Sequence, residues 1–97
     1  MVESALKITV CGRIDCPNYQ QSVVAANAIA AGNSNVCVEI MQFFETQWEE
    51  FLRKTASVKK GVFYDHKESP LVYLNDSEYV GTNEIFQRYA LMNYNYL

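Results

Sequence analysis

Ile8-Thr9-Val10-Cys11-Gly12-Arg13-Ile14-Asp15-Cys16-Pro17-Asn18-Tyr19 is the stretch that decides the fold. The apolar run Ile8-Thr9-Val10-Cys11 predicts a short buried strand, with Gly12 as its breaker. Pro17 suits the first position of a helix, where its missing N–H is not needed and its φ is already helical. A single thiol, Cys16, therefore falls where a strand gives way to a helix. Free backbone N–H groups and the positive end of the helix dipole favour thiolate over thiol at such a place. Arg13 adds positive potential, and Asp15 opposes it. Two readings of Cys16 stand at this point: a nucleophile, or a small buried residue at a junction. Tyr19 occupies the position at which a C-x-x-C pair would have its second cysteine.

Outward from this stretch, Pro17 to about Ala31 predicts a helix ending before Gly32, with Val23, Ala26 and Ala30 as an apolar stripe and Ile29 beside it. Gly32-Asn33-Ser34-Asn35 is a turn cluster. Val36 to Met41 predicts a second strand, with Val36, Val38 and Ile40 on one face. Thr46 and Glu49 have the spacing of a capping box, and Trp48, Phe51 and Leu52 supply the buried side of a second helix through Lys54. Lys59 to Ser69 shows no clear periodicity and predicts a loop with room for a short helical turn, with His66 solvated. Leu71-Val72-Tyr73-Leu74, the turn Asn75-Asp76 and Glu78-Tyr79-Val80 predict a hairpin that ends at Gly81. Thr82 caps a last helix, Asn83 to about Tyr94, with Ile85, Phe86, Tyr89 and Leu91 turned inward. The order β-α-β-α-β-β-α implies a four-stranded mixed sheet with helices on both faces, the order of a thioredoxin fold.

The 97 residues suit a single domain, 1–97, and 49% hydrophobic with 20% charged residues is a globular composition. A net charge of −3 and the lack of a basic stripe argue against nucleic acid. No segment approaches the roughly 18 apolar residues of a membrane span, and Met1 to Leu6 lacks the pattern of a signal peptide. Three cysteines, Cys11, Cys16 and Cys37, fit a reducing, cytoplasmic setting better than a disulfide scaffold. Cys11 and Cys37 read as core residues, and a Cys11–Cys16 disulfide across the turn at Gly12 is disfavoured by geometry. One histidine and three scattered cysteines supply no metal set, so no metal is expected. Ser22 and Ser69 have no evident base partner for hydrolase chemistry.

The chain resembles the glutaredoxins almost from end to end. Arg13 stands at the position of the family's Lys ahead of Cys16-Pro17-Asn18-Tyr19; Glu68-Ser69-Pro70 matches the cis-proline loop; Val80-Gly81-Thr82-Asn83-Glu84 matches the glycine pair and the polar residues after it. It also resembles the glutaredoxin-like opening segment of atypical animal malate dehydrogenase-like proteins, in Gly12-Arg13-Ile14-Asp15-Cys16-Pro17, Trp48-Glu49, His66-Lys67 with Ser69-Pro70, and Gly81 with Asn83-Glu84. No dinucleotide-binding G-x-G-x-x-G accompanies it.

The resemblance implies glutathione-linked thiol–disulfide exchange, with Cys16 as nucleophile. Glutathione would be the co-substrate, and glutathione or a glutathionylated protein the partner. Arg13, Asn18, Tyr19, Ser69, Pro70, Gly81, Thr82 and Asn83 would line the glutathione groove. Within it Arg13 would meet a carboxylate, Ser69 would offer backbone hydrogen bonds, and Thr82 and Asn83 would receive the γ-glutamyl carboxylate at a helix start. Tyr19 implies a monothiol route that uses an external thiol. The departures at Asn18, Glu68 and Val80 leave an alternative: a non-catalytic interaction module that docks a partner protein or a following domain. Cys16-Pro17 also differs from the C-G-F-S motif that goes with iron–sulfur assembly in this family.

Overall fold

A computed structural model describes residues 5–59 and 66–96. The elements run β1 (Leu6–Arg13), α1 (Pro17–Gly32), β2 (Val36–Phe43), α2 (Glu45–Lys59), β3 (Leu71–Leu74), β4 (Glu78–Gly81) and α3 (Asn83–Tyr94). This is the expected order. The sheet order is β2-β1-β3-β4, with β1 and β2 parallel and the β1–β3 and β3–β4 pairs antiparallel.

Because side chains alternate along a strand, β1 feeds two cores. Ile8 and Val10 join Val72 and Leu74 beneath α1 and α3, where Ala25, Ala26, Ile29, Phe86 and Ala90 are buried. Cys11 joins Leu71 and Tyr73 on the opposite face, beneath Trp48, Phe51 and Leu52 of α2. With both faces covered, every residue of β3 is buried. Asn75 and Asp76 both take positive φ, +50° and +65°, the backbone of a type I′ turn matched to strand twist. Asn75 ties that turn to β1 through two hydrogen bonds with the Lys7 backbone.

Several expectations are corrected. Gly12 does not end β1, which continues to Arg13 in register with Phe43. On α1 the expected Ala26 and Ile29 are buried and Val23 and Ala30 are partly buried against the same core, while Tyr19, Ser22 and Ala25 extend the buried face beyond the expectation. The second helix starts earlier and runs further: Phe44 O accepts from the N–H of Gln47 and Trp48, and Gln47 Oε1 accepts from Phe44 N–H. Thr46 therefore lies inside the helix, and the reach-back residue is Gln47 rather than Glu49. Ala56 extends the Trp48 and Leu52 stripe by one turn and carries the helix to Lys59. Cys37 is exposed because β2 is an edge strand with one open side. Ile40 is 38% exposed for the same reason. Ile85 and Leu91 point outward on α3, while Phe86 and Ala90 hold its buried face. Thr82 is the N-cap residue of α3, although its side chain makes no capping bond.

The expectation of a loop with a short helical turn falls mostly outside the described residues, as does the amino-terminal segment read for a signal peptide. Among the described residues no helix is long and apolar enough to cross a membrane.

Candidate functional site

Cys16 is the N-cap residue of α1, with an extended backbone (φ −92°, ψ 117°) and Pro17 following it into the first turn. Its N–H bonds to Arg13 O at 3.0 Å and its carbonyl accepts from Gln20 N–H at 3.1 Å, so the backbone is fixed on both sides. The residue is 7% exposed, and its Sγ lies 3.6 Å from the carbonyl oxygen of Ser69.

Burial, the largest single influence on the Cys16 thiol, pushes it up. Hydrogen bonding from the Ser69 side chain, the backbone N–H groups of Tyr19 and Asn18, and the charge of Arg13 together outweigh it, so the thiol is held below its ordinary value. The sulfur closes no capping hydrogen bond of its own, and the N–H groups at the helix start act on it by proximity. Ser69 Oγ accepts from Arg13 N–H at 3.0 Å, which leaves its hydroxyl proton free to donate. The Ser69–Pro70 peptide bond is cis.

Arg13 ends β1 beside this loop. Its Nε is buried and, among the described residues, has no hydrogen-bond partner. Asp15 approaches only to 3.9 Å and is 70% exposed at its side chain, so its negative charge is largely in water. The partly exposed guanidinium beside a thiolate-favouring cysteine suits an anionic group.

The other residues expected in the groove divide into two groups. Thr82 and the backbone start of α3 sit beside Gly81, which has φ +124° and is buried. Asn18 is exposed on the first turn of α1. The side chains of Asn83 and Tyr19 turn away from solvent instead. Asn83 is 9% exposed; Oδ1 accepts from Ser22 Oγ at 2.7 Å and from Gln87 Nε2 at 3.1 Å, and Nδ2 donates to Gln21 Oε1 at 3.0 Å. It locks α1 to α3, which leaves only its backbone for a ligand. This also gives Ser22 its role.

Tyr19 is 3% exposed and lies over Gly12, where an added Cβ would stand 2.7 Å from its Cγ and closer still to Cδ1. Gly12 is thus the space that the Tyr19 ring occupies. Tyr19 O–H donates to Gln42 Oε1 at 3.3 Å on β2.

Sequence reasoning missed His66, which is 6% exposed rather than solvated. Its Nδ1 lies 2.8 Å from Tyr79 Oη, and its Nε2 lies 2.7 Å from Glu68 O and 3.0 Å from Pro70 O. Burial, the foremost influence, lowers its pKa against the opposing pull of the two carbonyls and of Glu68. Its place two residues before the Glu68-Ser69-Pro70 loop is the one signal that pointed to it. Among the described residues no group of three or more His, Cys, Asp or Glu is arranged to hold a metal ion.

With the geometry described, comparison with solved structures becomes informative. Glutaredoxin 1 from Francisella tularensis, solved in complex with cacodylate, superposes with a TM-score of 0.67 over 95% of this chain and 100% of that one, at 19% identity. The fold is that of a glutaredoxin. At this identity the likeness establishes the thioredoxin-like architecture of the chain. No family model matches the chain, and no curated protein matches it. The glutaredoxin fold thus rests on three-dimensional likeness rather than on sequence similarity.

Proposed function

We propose that this glutaredoxin-like chain exchanges glutathione mixed disulfides through Cys16 alone. The observation that supports it most is a nearly buried thiol at a helix start, held toward thiolate by Ser69, two backbone N–H groups and Arg13. In the first step the Cys16 thiolate attacks the glutathionyl sulfur of a mixed disulfide. That S–S bond breaks, a Cys16–glutathione disulfide forms, and the substrate thiolate leaves to take a proton from water. In the second step a glutathione thiolate attacks this disulfide, releasing oxidised glutathione and restoring the Cys16 thiolate. Tyr19 supplies no resolving thiol, so the second thiol comes from solution.

The residues fit the tripeptide in part. The guanidinium of Arg13, whose side chain is 37% exposed, is a donor for one carboxylate, and the Thr82 hydroxyl with the N–H groups at the start of α3 receives the other. Ser69 and Pro70 provide the adjoining backbone. We assign the activity to the cytoplasm, where the free thiols of Cys11, Cys16 and Cys37 remain reduced. Replacing Cys16 with Ser abolishes turnover of a glutathionylated peptide; undiminished activity in that variant overturns the proposal.

A second reading follows from Asn83 and Tyr19, whose side chains serve packing instead of a ligand. On that reading the chain keeps the fold as an interaction module, standing alone or as the opening segment of a longer protein. A nitrogen-15 NMR titration with glutathione separates the two. Shifts at Cys16, Ser69 and Thr82 favour exchange chemistry, and an unchanged spectrum at millimolar ligand favours the module.

A further inference from the structure

His66 is a buried ring with both nitrogens engaged, and its surroundings define which nitrogen carries the proton. Nε2 faces two carbonyl oxygens, Glu68 O at 2.7 Å and Pro70 O at 3.0 Å. Carbonyls only accept, so Nε2 bears the hydrogen and shares it between them. Nδ1 is then the acceptor, and Tyr79 O–H donates to it at 2.8 Å. The rings meet edge to face, 5.6 Å between centroids at 75°. Those two carbonyls bracket Ser69, whose own carbonyl faces Cys16 Sγ and whose hydroxyl holds Arg13 N–H. The Tyr79 hydroxyl also lies near Gly81, where an added Cβ would stand 3.5 Å from it.

We propose that His66, oriented by Tyr79, is a positioning residue for the Cys16 site, gripping the carbonyls on either side of Ser69 so that Ser69 keeps its contacts with Cys16 and Arg13. The inference rests on the reading of Cys16 as the working thiol. It goes beyond that reading by making a residue outside the groove set the reactivity of the sulfur. His66 does not touch the reacting atoms. It acts through the Glu68–Pro70 backbone, and that separation makes the idea testable.

The measurement is the pH profile of Cys16 alkylation by iodoacetamide, in the full chain with exposed Cys37 replaced by Ser. Tyr79→Phe keeps the aromatic ring and removes the hydroxyl that orients the imidazole. His66→Leu removes the grip, and His66→Gln returns an amide N–H at a similar reach. The expected result is alkylation at neutral pH slowed about threefold or more in Tyr79→Phe and further in His66→Leu, with the profile moved to higher pH and partial recovery in His66→Gln. Loss of global stability alone leaves the profile of the folded fraction in place. Where His66→Leu does not fold, Tyr79→Phe and His66→Gln decide the matter. A folded Tyr79→Phe with the parent profile overturns the proposal.

The outcomes also separate this inference from the one beneath it. A parent profile at the ordinary thiol value of about 8.5 removes both. A depressed parent profile that Tyr79→Phe shifts, in a protein unable to turn over a glutathionylated peptide, upholds the positioning role and removes only the glutathione activity.

Discussion

Cys11 and Cys16 are five residues apart in the chain and both are buried, yet their thiols are shifted in opposite directions. Cys11 lies in the interior of β1 under α2, among Trp48, Leu71 and Tyr73, with Met41 Sδ 3.9 Å from its sulfur. Burial pushes its thiol up to about 12 against a smaller opposing hydrogen bond from Tyr73. Cys16 has left the strand for a helix start, where backbone N–H groups, a hydroxyl and a guanidinium converge. Burial alone makes a thiol inert. It leaves a thiolate accessible to chemistry only where fixed dipoles replace the lost water.

The largest test of this contrast is the ratio of alkylation rates. At pH 7 in the native protein Cys16 reacts more than about a thousandfold faster than Cys11, and denaturant collapses the ratio. Mass spectrometry of the two peptides measures it, and comparable native rates break the comparison. Ser69→Ala comes next: it removes the hydroxyl that both accepts from Arg13 N–H and stabilises the thiolate, and it slows Cys16 alkylation about fivefold without altering Cys11.

The packing behind the site is tested by stability. Tyr19→Ala costs about 3 kcal/mol by emptying the space over Gly12, and Gly12→Ala costs about 2 kcal/mol by crowding the ring. The double variant costs less than the sum, as urea denaturation will show.

The smallest effect concerns pH. His66 has a folded pKa below its unfolded value of about 6.5, so its contribution is complete above that pH and is lost as pH falls through the lower folded value. Tyr79 and Glu68 face it directly, and Glu49 and Arg53 of α2 together with Lys67 line a cavity that His66 also borders. The urea midpoint therefore drops on acidification below about 6.5 and flattens in His66→Gln.

What was legible in the sequence follows from range. The β-α-β-α-β-β-α order rests on local signals such as the Ile8 run, Pro17, the Asn75-Asp76 turn and Gly81, and the chain has that order. The place of Cys16 at a helix start was legible for the same reason, since Pro17 and the residues after it mark the helix, whereas Ser69, which also acts on its thiol, comes from 53 residues away. The errors share a different cause. Gly12 looks like a breaker until Tyr19, seven residues on, fills the space above it. His66 looks solvated because two of its partners are carbonyls and the third is Tyr79, across the hairpin. Cys37 looks buried until the sheet order puts β2 at an edge. Asn83 looked ready for a ligand until α1 and α3 packed and Ser22 and Gln21 claimed its amide.

The Gly12–Tyr19 pair also constrains how this chain can change. A cysteine at 19 alone would leave a hole against Gly12, and a larger residue at 12 alone would collide with the ring. Each single step crosses a stability valley, so installing a cysteine at 19 without loss of packing requires two substitutions that are tolerated only together. Positions 12 and 19 therefore behave as one unit of packing, and the identity of either residue is set by the other.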